Sequence, residues 1–315
     1  MAVKRLQIGI VGIVAVITLL GAFYWLHLRM GVAGDFDSTP IVLVHGSGLS
    51  SSSWKALRKR LEAVGYPSDY IEAVDIAPTR TANELAAGYD IAVAVESVLK
   101  RAARKARSVG VSVPVRVDLV SHSMGAFSSR YFAAIVGPTR VRTLIAIAGS
   151  NFGTNALCHS SLAGDRQMCP AFAQSVIESG IQVQLNGTDE DPRDPSPYGL
   201  GTDVQQDPVA ATLERCIAYY TLRIEPDEWI KPERSAMLPG AGGLDLNVAG
   251  MPLLETQPGN FLLSSTAIHD DLPSDAHVID FVIKVLIAAD QQWQEACHIG
   301  AGGGVKVDSV SPRSR

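Results

Sequence analysis

Val117–Phe132 reads VDLVSHSMGAFSSRYF, and this stretch changes character at its centre. From Val115 to Ser121 (VRVDLVS) it has the β-branched and leucine content of a buried strand, and from Met124 to Val136 it reads as a helix. Between the two stands Ser121-His122-Ser123-Met124-Gly125. A serine hydroxyl is a weak nucleophile unless a base takes its proton, and it must stand clear of a sheet to meet a carbonyl carbon. A sharp strand-to-helix turn achieves this, and its crowded backbone demands small residues two before and two after the nucleophile. Ser121 and Gly125 occupy those offsets around Ser123. The pattern is SxSxG, with a small polar residue where the first glycine of GxSxG stands.

Working outward, Ile41–Val44 is a continuous apolar run leading into His45-Gly46-Ser47-Gly48, the pattern of a strand buried on both faces. Trp54–Val64 carries apolar residues at helical spacing with Gly65 as a stop, and Tyr70–Ile76 reads as a strand. Asn83–Ser108 reads as a long amphipathic helix with Leu85, Ile91, Ala92, Val95 and Leu99 inward, and Val141–Ala148 as a further strand. Strands alternating with helices predict an α/β fold with a mostly parallel sheet and helices on both faces. The rhythm breaks over residues 149–207, a turn-rich stretch that reads as a cap-like insertion. It resumes at Cys216–Ile224; Leu244–Ala249 is a weak strand candidate and Val278–Glu295 a closing helix. No internal repeat is present. The catalytic domain is thus expected over residues 40–299, with residues 31–39 as linker and 300–315 as a Gly-rich tail.

Of 315 residues, 47% are hydrophobic and 19% charged, enough apolar content for a large core. The balance of 27 basic against 32 acidic residues gives −5, which argues against nucleic acid as the main partner. Apolar content is densest at Ile8–Leu26, which has no charged side chain between Arg5 and Arg29 and matches a bilayer's hydrocarbon thickness at about 20 residues. With Tyr24 and Trp25 at its far end, it is expected to be a signal anchor over residues 1–30 with an extracytoplasmic catalytic domain, or a secretory signal if cleaved. The basic run Lys100, Arg101, Arg104, Lys105, Arg107 reads as a solvated face near a helix C-terminus, with contact to anionic lipid headgroups as the alternative.

An acyl-transfer transition state needs two preorganised N–H donors for its oxyanion. The glycine-bounded loop supplies Ser47 N–H, and the helix following the turn supplies Met124 N–H. His45 and His122 read as structural histidines. Four cysteines allow three pairings, among which Cys158–Cys169 is expected; Cys216 and Cys297 are a second candidate pair that reads more simply as buried reduced thiols, the alternative for the first pair as well. Asp189, Glu190, Asp191 and Asp194 could gather on a calcium ion, although the interleaved prolines suit a plain surface turn. Asn186-Gly187-Thr188 is a glycosylation sequon by pattern. No metal site or cofactor is expected.

The segments PIVLVHGSG, the later Trp54, VDLVSHSMGAFSSRYF and CPAFAQSVIESGIQVQLNGTDE together resemble the lipase class 2 family of α/β-hydrolases, over roughly Pro40 to Leu286. The resemblance implies a Ser–Asp–His triad in that chain order, an oxyanion hole from the HGxG loop, and activity on carboxylic esters of lipids. Carried over, IEPDEWIKPERSAMLPGA matches the Asp-bearing loop and makes Asp227 the acid, with Glu225 and Glu228 close enough in sequence to be confused with it. His269 and His277 compete for the base; the run His-x-x-Leu-Pro-x-Asp-x-x-Val-Ile favours His269. The expected activity is a serine carboxylic-ester hydrolase working on lipid or acyl esters. A thioesterase, acyltransferase or amidase would use the same groups, and a silent hydrolase fold could serve as a binding module. Oligomeric state leaves no mark in the sequence.

Overall fold

The computed structural model describes residues 39–76, 82–170, 180–187 and 217–297. Seven strands form one sheet: β1 (Ile41–Val44), β2 (Ile71–Val74), β3 (Val117–His122), β4 (Val141–Ile147), β5 (Ala218–Ile224), β6 (Leu253–Gln257) and β7 (Asn260–Leu263). Their order is β2-β1-β3-β4-β5-β7-β6, all parallel except β6, which runs antiparallel to β7. This is the α/β-hydrolase fold with a mostly parallel sheet.

The central strands are apolar throughout because both of their faces are covered. Val42, Val44, Leu119, Leu144 and Ala146 face one core, packed by α2 (Ala92–Val109) and α3 (Met124–Tyr131) through Val95, Val98 and Phe127. Ile41, Leu43, Val120, Ile145 and Leu222 face the other. There α1 (Lys55–Ala63) contributes Leu57 and Leu61, and α6 (Ala276–Cys297) contributes Phe281, Val282 and Val285. A charged cluster is buried between β3, β4 and α6. Arg142, 4% exposed, donates from Nε to Asp118 Oδ1 at 2.9 Å and from a terminal nitrogen to Asp290 Oδ1 at 2.7 Å. Its second terminal nitrogen pairs with Asp118 Oδ2.

Two sequence expectations need correction. Leu244–Ala249 is not a strand; Leu244, Leu246 and Val248 instead pack as irregular chain against the second core. The sheet is completed by the β6–β7 hairpin, which turns at Pro258-Gly259 with Gly259 at φ +70°. The helix expected over Asn83–Ser108 is interrupted: Asn83–Leu85 and a wide π-type turn, Ala86–Ile91, precede α2.

Within the expected insertion, residues 149–170 and 180–187 are described. They hold two short helices, α4 (Ala163–Gln167) and α5 (Gly180–Asn186), and the Cys158–Cys169 disulfide. This segment is stitched to the helix after the serine turn. Arg130 of α3 donates to Asn151 O at 2.8 Å, while Asn83 joins Ser128 of α3 to Gly164 O. Asn186 Nδ2 donates to Asn151 O at 2.9 Å and Gln182 Oε1 at 2.6 Å, so the sequon's acceptor nitrogen is already engaged. The apolar run Ile8–Leu26, the acidic group Asp189–Asp194, Cys216, the Cys297 side chain and the tail lie outside the described residues. Among the described residues no helix is long and apolar enough to cross a membrane, and no group of His, Cys, Asp and Glu is arranged to hold a metal ion.

Candidate active site

In a parallel sheet the loops beyond the carboxyl ends of the strands converge on one edge, where ligands bind. Here β1 ends in the His45–Gly48 loop, β3 in Ser123, β5 three residues before Asp227, and β7 six residues before His269.

Ser123 stands at φ 53° and ψ −124°, one of two non-glycine residues at positive φ among those described. Such a conformation costs about 1–3 kcal/mol and persists only where the surroundings enforce it. They do so here through three contacts. Ser123 N–H continues the ladder to Ile147 O at 3.0 Å, and its carbonyl accepts from Ala126 N–H at 3.0 Å. At Gly125 a Cβ would lie 2.4 Å from His45 O and 2.6 Å from Val44 O, so α3 starts against the backbone of β1. Ser121, where the motif usually has glycine, is fully buried and donates to Ser129 Oγ at 2.7 Å, one helical span further on.

Asp227 and His269 are each 2% exposed, and His269 Nδ1 lies 2.9 Å from Asp227 Oδ2. The other carboxylate oxygen, Oδ1, accepts the backbone N–H groups of Trp229 and Ile230, both at 2.8 Å. A carboxylate accepts only, so His269 Nδ1 is the donor of this pair, and in the neutral imidazole Nε2 then keeps its lone pair. That Nε2 is buried without a hydrogen-bond partner among the described residues. The Ser123–His269 hydrogen bond is therefore not formed in this structure, and catalytic hydrogen bonds commonly tighten only when substrate enters.

The two neighbouring glutamates do other work. Glu228 Oε2 accepts the His269 backbone N–H at 3.0 Å, and Glu225 pairs with Arg223 at 3.2 Å. The acid-bearing loop is anchored to the insertion by Thr154, whose hydroxyl donates to Trp229 O and accepts from Lys231 N–H at 3.0 Å. His277 is exposed at the start of α6, its backbone N–H on Asp275 Oδ1, and takes no part.

His122 packs its ring against that of His269, with centroids 4.7 Å apart at 45°. His122 directly precedes Ser123, so this contact ties the His269 loop to the serine turn. His122 is fully buried with both ring nitrogens unpartnered among the described residues. Burial, and secondarily the charge His269 can carry, hold its pKa well below the ordinary value. His45 is also kept neutral by burial; its Nε2 accepts the Ile76 N–H at 3.0 Å and its Nδ1 lies 2.8 Å from Gly46 O. This fixes the loop that carries Ser47. At Gly46 a Cβ would meet Ser123 Cβ at 2.9 Å and His122 Nδ1 at 3.0 Å, so the loop's backbone lies directly against the nucleophile candidate. The structure thus brings together Ser123, His269, Asp227, the Gly46–Ser47 backbone and the start of α3 at Met124. The His122–His269 contact had no signature in the sequence.

Residues 40–187 match the palmitoyl protein thioesterase family, just under half of the chain. Among solved structures, Aspergillus fumigatus lipase B is 15% identical, with 81% of this chain and 54% of that one covered and a TM-score of 0.50. This chain therefore spans about half the length of that lipase. The mature Bacillus licheniformis lipase BlEst2 is also 15% identical, over 80% of this chain and 92% of that one, with a TM-score of 0.41. At such identities the likeness concerns the fold. The family matched is the thioesterase one, whereas the sequence motifs resemble lipase class 2.

Proposed function

We propose that this chain is a serine hydrolase that cleaves acyl esters through a covalent intermediate on Ser123. The observation that carries the proposal is the polarised His269. Its Nδ1 faces Asp227 while Nε2 stays unpartnered among the described residues, and its ring packs on His122, the residue before a serine held on a strained strand-to-helix turn. In the reaction Ser123 Oγ attacks the acyl carbon and its proton passes to His269 Nε2, the resulting imidazolium being stabilised by Asp227. The tetrahedral oxyanion is received by Ser47 N–H and Met124 N–H. On collapse the alcohol leaves with the proton from His269; water, deprotonated by the same nitrogen, then frees the acid and Ser123. The lipase class 2 motifs favour an oxygen ester of a lipid as substrate. A second reading, a thioester, is favoured by the match of residues 40–187 to the thioesterase family.

We place the enzyme on the extracytoplasmic side of a membrane, held by Ile8–Leu26 as a signal anchor. Besides that run's length, the Cys158–Cys169 bridge favours an oxidising compartment.

Labelling with a fluorophosphonate tests the nucleophile: wild type is expected to label and Ser123→Ala not to. An unlabelled wild type, or a labelled Ser123→Ala, refutes the assignment. Matched oxygen esters and thioesters of increasing chain length then decide between the two substrates by kcat/KM.

A further inference from the structure

The opposite edge of the sheet, at the amino ends of the strands, carries a surface the hydrolase chemistry does not use. α2 ends there, α3 ends there through the turn Phe132–Val136, and the chain enters there at Pro40, whose carbonyl accepts the Asp118 N–H at 2.8 Å. Between Glu96 and Asp118 the sequence has six basic residues and no acidic one. Arg101 pairs with Glu72, Arg140 pairs with Glu96, and Arg116 lies over the Trp293 ring. Lys100, Arg104, Lys105 and Arg107 are exposed, with no acidic partner among the described residues.

Three of these cations, Lys100, Arg104 and Arg107, line a cleft of about 330 Å³ together with Leu99, Pro114, Val115 and the mutually paired Glu96 and Arg140. Around this edge Val109, Val115 and Ile135 are 57%, 62% and 54% exposed. Cations alone would suit any polyanion. Cations interleaved with exposed branched aliphatic side chains suit a surface whose phosphates lie just above hydrocarbon.

We infer that this edge docks on an anionic lipid surface. Chain geometry supports the same occupant: residues 27–39 separate the apolar run from Pro40, and thirteen residues span at most about 47 Å. That supporting step rests on the anchor reading; the charge and apolar exposure do not. Docked this way, the catalytic edge faces away from the bilayer beneath it, so the acyl substrate is taken from the aqueous side.

The test uses the full-length chain, translated cell-free in the presence of preformed vesicles and floated with them. Phosphatidylcholine vesicles and vesicles of one-third phosphatidylglycerol compete in one reaction and are separated by density, so that an inserted chain still reports which surface it chose; phosphatidylcholine vesicles are also tested alone. Lys100→Gln/Arg104→Gln/Arg107→Gln replaces exposed helical cations with a good helix former. Each cation near an anionic surface contributes about five-fold, so the preference for anionic over neutral vesicles is expected to fall about 100-fold in the triple variant. It is expected to persist in the charge-keeping Arg104→Lys/Arg107→Lys variant. Wild type floating equally with both vesicle types, or a triple variant retaining the full preference, overturns the proposal. So does displacement by inorganic phosphate at constant ionic strength, which would assign the cleft to a soluble anion. Flotation with neutral vesicles reports Ile8–Leu26 separately: its absence alongside an intact anionic preference removes the anchor and leaves the docking edge standing.

Discussion

Replacing Asp227 with Asn changes one atom and should nearly abolish catalysis, for a reason specific to how this carboxylate is held. Oδ1 accepts two backbone N–H groups, from Trp229 and Ile230, while Oδ2 faces His269 Nδ1. An asparagine has one acceptor and one donor end, so it can satisfy one side only. Turning its NH2 toward the backbone would leave two buried N–H donors unpaired, at about 1–3 kcal/mol each, or about 2–6 kcal/mol together. Turning its NH2 toward His269 needs only the other imidazole tautomer. The second arrangement wins; it places the proton on Nε2, the atom that must accept one from Ser123. At 1.4 kcal/mol per decade, about 2–6 kcal/mol of bias empties the active tautomer by roughly 30-fold to more than 10⁴-fold. The lost imidazolium stabilisation adds to this, so kcat/KM for an acyl ester should fall about 10³–10⁴-fold. Fluorophosphonate acylation of Ser123 should slow in parallel. Because both backbone hydrogen bonds survive, the urea midpoint of Asp227→Asn should stay close to wild type. Asp227→Ala, which orphans both N–H groups, should lose about 2 kcal/mol or more. An Asp227→Asn enzyme within ten-fold of wild type would refute the tautomer argument.

Gly125→Ala should cost about 1–3 kcal/mol or more and abolish labelling of Ser123, because the new Cβ meets the His45 and Val44 carbonyl oxygens; a folded, labelled variant in a urea titration would contradict the packing described. Arg142→Met should destabilise by about 3–5 kcal/mol, since it strands the wholly buried Asp118 carboxylate; calorimetry on Arg142→Met against wild type measures it. His122 contributes a pH dependence of known sign. Its folded pKa is lowered, so below about 6.5 the unfolded chain binds a proton the native chain does not, and stability falls by about 1.4 kcal/mol per pH unit until His122 itself protonates. In urea titrations between neutral and acid pH, His122→Gln should lack this component; identical slopes in the two proteins would rule it out.

The fold was legible where burial is two-sided. β1, β3, β4 and β5 lie inside the sheet, and their continuous apolar runs announce it; the helices between them show the matching 3.6-residue period. The β6–β7 hairpin was missed because β6 is an edge strand, with most of its side chains half or fully exposed, and so lacks that signal. Its local cue was Pro258-Gly259 between two short apolar runs. The serine and the glycine loop were legible because their constraints are local in sequence. Asp227 was legible only through the resemblance of its loop: three acidic residues stand within four positions, and closure of the β5 and β7 loops shows Asp227 as the one whose side chain faces the His269 ring. His122 against His269 joins residues far apart in the chain, and no local pattern encodes such a contact.

The departure from GxSxG at Ser121 also becomes intelligible, and it shows that the two small positions of the turn are not equivalent. A side chain at Ser121 points under the turn toward α3, where Ser129 supplies a hydroxyl at hydrogen-bond distance, so a buried polar group is satisfied rather than crowded. A side chain at Gly125 would instead run into backbone carbonyls of β1, and backbone in the middle of a sheet cannot step aside without breaking the pairing of β1 with β3. Gly46 is constrained from the other side by Ser123 itself. Glycine is thus demanded where strand β1 meets the helix and the nucleophile. Before the nucleophile, a small residue suffices if the helix above offers it a partner. A variant Ser121→Ala keeps the size and loses only that partner, leaving Ser129 to find another within its own helix, which a serine hydroxyl can do by bonding the carbonyl a turn earlier. The turn at Ser123 is therefore held by Gly125 and Gly46 far more than by Ser121.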